Sequence, residues 1–133
     1  VKIVGGEQVT KTDENLKDAF AGESQANRKY LAFAAKAMEE GYPEIAQLFM
    51  EAAGAETTHA LNHFRVMGGV RSTKENLAEA AEGENYEIEE MYPKFIKEAE
   101  DEGRKDAAES FRLAMEREKY HREMFRSALK ELG

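Results

Sequence analysis

Glu56-Thr57-Thr58-His59 and Glu118-Lys119-Tyr120-His121 are two copies of one spacing, Glu-x-x-His. A glutamate and a histidine three apart on a helix share a face, so each pair offers a carboxylate and an imidazole to a common point. Two such pairs can close on two metal ions. Glu23 and Glu87 lie on the segments that precede the two pairs. One glutamate from each of two helices, with Glu-x-x-His from each of the other two, is a ligand set of dinuclear carboxylate centres in four-helix bundles. Clustered buried carboxylates without counter-charge repel and take up protons. Glu23, Glu56, Glu87 and Glu118, with Glu90 one turn after Glu87, therefore need cations. Two divalent ions supply that charge, and oxygen plus imidazole ligands suit iron, manganese or zinc. A single Glu-x-x-His would be weak grounds, because solvent-facing glutamates produce it by chance; two copies at matching positions are not so explained.

The elements that must carry these residues follow from periodicity. Residues 1–11 contain Gly5-Gly6 and no repeat, and read as a loosely held arm. Thr12 and Asp13 offer a helix cap. A first helix over about 13–40 carries the stripe Leu16, Phe20, Glu23, Asn27, Tyr30, Ala34, Ala37, a bundle seam with a carboxylate in its middle. Gly41 ends it, and Pro43 suits the first turn of the next helix. The second helix, about 43–67, has the stripe Ile45, Phe49, Ala52, Glu56, His59, His63, Val66, stopped by Gly68-Gly69. Ser72 and Glu75 form a capping-box pattern for a third helix over about 74–102. Its inner face is marked by Leu77, Ala80, Glu84, Glu87, Met91 and Phe95, and Pro93 predicts a kink near Tyr92. After Gly103 a fourth helix, about 104–132, carries Ala107, Phe111, Ala114, Glu118, His121, Phe125, Ala128 and Leu132. The chain thus reads as all-α, two helix hairpins over 12–68 and 72–133.

The halves repeat. In each, the Glu-x-x-His glutamate stands 15 residues after the turn glycine, Gly41 or Gly103, but Glu23 precedes its glycine by 18 residues and Glu87 by 16. Pro93 lies where the register differs. Of the remaining polar residues, His63 reads as support for the site more than as a ligand, and Tyr30, one heptad past Glu23, as a donor to a ligating carboxylate or a plain core tyrosine. Glu84 reads as solvated or hydrogen-bonded behind the ligands. The six methionines, Met38 and Met50 among them, read as core filling.

The chain has 133 residues, 19 basic against 27 acidic for a net charge of −8, and no cysteine. The length suits one domain with a sizeable core. The acidic balance argues against nucleic acid and anionic membranes as partners. Absence of cysteine excludes disulfides, thiolate zinc and cysteine-held iron within this sequence. No apolar run is long enough to span a membrane, and Val1 to Val9 has no signal-peptide pattern, so the expected location is cytoplasmic.

With these residues in place, the chain resembles the ferritin-like domain of the rubrerythrins from about Thr12 to Leu132. The resemblance rests on Ala19-Phe20-Ala21-Gly22-Glu23-Ser24-Gln25-Ala26, Glu56-Thr57-Thr58-His59-Ala60, Glu87-Ile88-Glu89-Glu90-Met91-Tyr92-Pro93 and Glu118-Lys119-Tyr120-His121. It implies a di-iron site held by Glu23, Glu56, Glu87, Glu90, Glu118 and His121, with His59 and Glu90 exchanging on one iron as the redox state changes. His59, Glu90 and Tyr30 are then the residues expected to carry catalysis. The implied activity is NADH-linked reduction of hydrogen peroxide to water in oxidative stress defence, with electrons from a rubredoxin-type donor. Typical members carry a cysteine-rich rubredoxin domain. Either that domain lies outside this sequence, or the protein draws electrons from a separate donor. Iron oxidation and storage, as in ferritins, is the competing implication; Glu90 and His59 favour the peroxidase.

The resemblance also implies parallel second and third helices. Glu56 lies ~18 Å before the end of the second helix and Glu87 ~20 Å after the start of the third. The residues between, about 69–74, reach at most ~21 Å. One chain cannot close the site in that topology. An up-down-up-down bundle is one solution. The expected one is a domain-swapped homodimer, in which Glu23, Glu56 and His59 of one chain meet Glu87, Glu90, Glu118 and His121 of its partner.

Overall fold

The computed structural model describes residues 2–4 and 7–133. It divides into two compact units, Val1–Val70 and Arg71–Gly133, each built on a helix hairpin. In the first, strands β1 (Lys2–Val4) and β2 (Glu7–Val9) pair antiparallel, with Ile3 opposite Gln8. The sequence expectation of a strandless arm over 1–11 is corrected for these residues. They are too few to show a period, yet Ile3, Val4 and Val9 are β-branched and suit a pleated ladder. Val1, Gly5 and Gly6 lie outside the described residues.

Helix α1 (Lys11–Glu39) is capped by Thr10, two residues before the expected Thr12. Thr10 Oγ1 accepts the Asp13 N–H at 3.2 Å, and Asp13 Oδ2 accepts the Thr10 N–H at 3.2 Å. This reciprocal pair satisfies two orphan donors that Thr12 could not reach. α1 ends in a left-handed Gly41, φ +85°, with Tyr42 N–H bonded to Ala37 O at 2.8 Å. Glycine adopts that conformation without the Cβ clash of other residues. α2 (Pro43–Val66) follows at once.

In the second unit α3 (Thr73–Tyr86) is capped by Ser72, whose Oγ accepts the Glu75 N–H at 3.1 Å. The expected single kinked helix is instead interrupted by a π-helical segment, Glu87–Met91, in which Tyr92 N–H bonds to Glu87 O five residues back. α4 (Tyr92–Asp101) continues from it, and after Gly103, φ +72°, comes α5 (Lys105–Leu132). Pro93 falls in the first turn of α4. The widened turn just before it accommodates the proline ring, so the irregularity expected near Tyr92 takes the form of an inserted residue.

Each hairpin closes on small residues. Ala34, Ala37, Ala46, Ala53 and Ala60 are buried in the first; Ala81, Ile88, Ala99 and Ala108 in the second. The same ring cluster stands at the same distance from each turn glycine. Tyr30, Phe33 and Phe49 have centroids 5.5–6.4 Å apart, as Tyr92, Phe95 and Phe111 have at 5.5–6.3 Å. Among the described residues, large side chains stay part-exposed, Leu48 at 64% and Val66 at 72%. Among the described residues, no helix is long and apolar enough to cross a membrane.

Candidate metal centre

Glu23 on α1 faces Glu56 and His59 on α2. Their ligating atoms all lie within 4.8 Å of one another. His59 Nδ1 is 2.8 Å from Glu23 Oε2 and 3.9 Å from Glu56 Oε1. Behind them Asn27, 8% exposed, donates through Nδ2 to Ala53 O and Thr57 Oγ1, both at 2.8 Å. That polar tie between α1 and α2 fixes the rotation of both helices at the carboxylates. The Glu23 carboxyl is held below its ordinary range, first by a hydrogen bond from Glu56 and then by His59. Glu56 is pushed up, first by that shared hydrogen bond with Glu23, then by burial and by the charge beside it. Adjacent carboxylates push their proton affinities apart in this way.

The second unit gathers Glu84, Glu87 and Glu118, again with ligating atoms within 4.8 Å. His121 Nδ1 lies 3.6 Å from Glu84 Oε1. Burial, then a hydrogen bond and charge from Glu87, push the Glu118 carboxyl up to about 8. Oε2 of Glu84 and Oε2 of Glu118 are buried with no hydrogen-bond partner. Buried acceptors without donors are costly and rare, and these point into a cluster of like charge, which is the environment a divalent cation would satisfy. The donor set, carboxylate with imidazole, fits iron, manganese or zinc.

The structure brings most of the expected ligands together in two sets. Glu23, Glu56 and His59 stand together, as do Glu87 and Glu118 with His121 alongside. Glu90 does not join them: it is exposed on the π segment, and Glu84 occupies the place beside His121. Aligning the halves through Tyr30 and Tyr92 shows why. Both tyrosines precede their turn glycine by 11 residues, but Glu23 precedes Gly41 by 18 and Glu84 precedes Gly103 by 19. The π segment inserts the extra residue, so Glu84 is the repeat mate of Glu23. The ring spacing carried that signal in the sequence.

Tyr92 was also passed over. Its hydroxyl is held protonated beyond the ordinary phenol range, first by burial and then by the charges of Glu118, Glu87 and Glu84. Tyr30 packs on Phe33 and Phe49 in the matching place. His63 is half-buried on the α2 stripe.

An arginine holds the π segment. Arg122 on α5, 17% exposed in its side chain, donates to Asn85 Oδ1 at 2.9 Å and Glu89 Oε1 at 3.0 Å. Its buried Nε makes no hydrogen bond, although Glu123 Oε1 stands 3.4 Å away. Asn85 and Glu89 flank Glu87, so this clamp sets the register of the inserted turn. Arg122→Met removes two charge-assisted bonds and should cost about 1–3 kcal/mol. Urea denaturation checks it, and an unchanged midpoint would show the clamp to be idle.

A family model described as rubrerythrin matches residues 14–129. The chain belongs to the rubrerythrin family. It is similar to rubrerythrin-1 of Clostridium acetobutylicum, 40% identical over 92% of this chain and 72% of that one. It is 41% identical to a rubrerythrin of Porphyromonas gingivalis over 90% of this chain and 66% of the other. Nigerythrin of Nitratidesulfovibrio vulgaris is 37% identical over 93% and 68%. A solved structure of fully reduced, all-ferrous nigerythrin is 36% identical, with 95% of this chain and 69% of that chain covered and a TM-score of 0.48. This rubrerythrin-family chain thus spans about two thirds of its relatives' lengths.

Proposed function

We infer that this chain is a non-haem di-iron oxidoreductase that reduces hydrogen peroxide to water, with electrons from an external rubredoxin-type protein. The observation that carries the reading is the pair of clusters. Glu23, Glu56 and His59 stand in one half-site and Glu84, Glu87 and Glu118 in the other, with His121 beside Glu84, and in the second the buried Glu84 Oε2 and Glu118 Oε2 lack hydrogen-bond partners. Glu23, Glu56, His59, Glu84, Glu87, Glu118 and His121 would hold the irons, and zinc or manganese could take their place in the isolated protein. A related nigerythrin is described in an all-ferrous state, and family membership supports the same redox chemistry here.

Peroxide reduction consumes two electrons and two protons and releases two waters. Iron would supply the electrons and act as Lewis acid to the O–O bond. The chain's own residues supply position and protons. Glu23 and Glu56 would hold iron from the first hairpin, and Tyr92 keeps its proton beside the second cluster. His59, its ring half exposed and 2.8 Å from Glu23 Oε2, would be an iron ligand in the first half-site.

The variants that test this are on α3 and its π segment. Glu84→Ala and Glu87→Ala should each lose at least one metal per site and cut peroxide turnover by about 100-fold, the loss typical when a metal site or its supporting shell is damaged. Glu90→Ala should keep both. Metal analysis of anaerobically purified protein and peroxide consumption with a chemical reductant read the two effects. If Glu90→Ala abolishes turnover while Glu84→Ala does not, the ligand assignment fails. Mineral cores of many irons per chain, without peroxide turnover, would point to iron storage instead.

Each cluster would be half a centre, and chain length bears on which halves could meet. Glu56 lies ~15 Å before the end of α2 and Glu84 ~17 Å after the start of α3. The six intervening residues, 67–72, reach at most ~21 Å, less than the ~32 Å that parallel helices require. In the ferritin-like topology the complete site therefore joins the first hairpin of one chain to the second of its partner, a domain-swapped homodimer.

A further inference from the structure

The two hairpins tie their helices together behind the carboxylates in different ways. In the first the tie is neutral: Asn27 on α1 donates to Ala53 O and Thr57 Oγ1 on α2. Asn27 lies four residues after Glu23, and the residue four after Glu84 is Ile88, 5% exposed. That place in the second hairpin is buried, but isoleucine offers no polar tie. The tie comes from the opposite helix instead. Arg122 follows His121 directly, and the residue that follows His59 is Ala60. The shared plan of the hairpins thus needs only a small side chain there.

A buried guanidinium is costly to desolvate, and ion pairs in such places often add little net stability. Its retention calls for a role beyond stability. Both hydrogen bonds of Arg122 leave from Nη1, to Asn85 Oδ1 and Glu89 Oε1. These acceptors stand two residues before and two residues after Glu87. Asn85 Oδ1 also accepts from Arg126 Nη2 at 3.2 Å. In the first hairpin α1 runs through the matching residues as one unbroken α-helix, whereas in the second the π segment begins at Glu87. The arginine and the inserted turn occur together in one half of the repeat and are both missing from the other. A π turn gives up the i→i−4 bonding of its neighbours. Arg122 supplies support from outside the helix where that bonding changes.

We propose, on the metal assignment made above, that Arg122 is a positioning residue for the second cluster. By gripping Asn85 and Glu89 it holds the backbone of Glu87 in the widened turn, so that Glu84 and Glu87 reach Glu118 together and the cluster binds metal. Charge gives this role a sign. Arg122 is itself a cation one residue from His121, so by electrostatics alone its removal would tighten the binding of a metal cation. Positioning predicts the reverse, because the ligands lose their common point.

Cobalt(II) titrated into the metal-free protein is the probe, read by its visible absorption. Arg122→Met should bind it about tenfold or more weakly than the native chain. Ala108→Gly is a lesion at a residue of the same helix that is 1% exposed. It lowers stability without touching the π segment, and should bind cobalt as the native chain does. Glu89→Ala should weaken binding in the native background and add little to Arg122→Met, because the two residues act as one unit. In the metal-free protein, hydrogen exchange at the amides of Ile88 to Tyr92 should be about tenfold faster in Arg122→Met, with α1 and α2 unchanged. Circular dichroism checks that the helices are intact. Equal or tighter cobalt binding by Arg122→Met, a loss as large in Ala108→Gly, or unchanged exchange in the π segment would overturn the positioning role. A native chain that takes up no cobalt would instead sink the metal assignment, and this role with it.

Discussion

Stripping metal from the protein at pH 8 should lower its thermal midpoint by about 10 °C or more, and the loss should shrink as the pH is taken down to 5.5. Ions that bind only the folded chain at a thousand times their dissociation constant add about 4 kcal/mol. Each kcal/mol moves the midpoint of a domain this size by roughly 3–5 °C. The pH dependence comes from the metal-free carboxylates. Glu118 titrates at about 8 in the folded chain against 4.5 as its ordinary value. Between those two values the folded state binds the extra proton, so the contribution of Glu118 is complete below the lower value and is lost as pH rises through the upper one. Glu56 is raised and acts in the same direction. Glu23 is lowered, so its contribution is present above its ordinary value and is lost as pH falls through the folded one. Metal-free protein should therefore be most stable at about pH 5–6. The loaded protein, whose carboxylates are neutralised by metal instead of protons, should be flat to pH 8. Calorimetry of both forms at three pH values checks this. If they melt together at pH 8, the two clusters do not hold metal.

Refolding a mixture of Glu56→Ala chains with Glu118→Ala chains should restore about one quarter of the wild-type metal sites, although each variant alone has none. In a swapped dimer each site takes Glu56 from one chain and Glu118 from the other. Half of the dimers formed from an equal mixture hold one chain of each kind. In these, one site carries both lesions and the other carries neither, so one site in four overall is intact. A bundle closed within each chain keeps one lesion in every site and restores nothing. The measurement is bound metal per chain, with peroxide turnover as a second readout. Zero recovery from a correctly refolded mixture would rule out the swap.

The sequence by itself determined the helical pattern, the hairpin turns and most of the ligands. These are written locally. A left-handed turn selects Gly41 and Gly103, a repeating apolar stripe marks the buried face, and Glu-x-x-His encodes its geometry in three residues of one helix. The tertiary structure placed Glu84, and not Glu90, beside Glu118 and His121. A run of Glu84, Glu87, Glu89 and Glu90 offers several three-residue spacings, and which of them face His121 depends on where the helix widens. That widening is a non-local outcome, set by the needs of Pro93 and by Arg122 reaching across from α5 to Asn85 and Glu89. The same holds for the methionines. A stripe of apolar residues on a helix states that a face must be covered, and Met38 and Met50 became surface because their own hairpin closes on alanines instead. The pairing of Glu23 with His59 at 2.8 Å likewise needed the Asn27 tie between two helices, a contact that a one-dimensional period cannot specify.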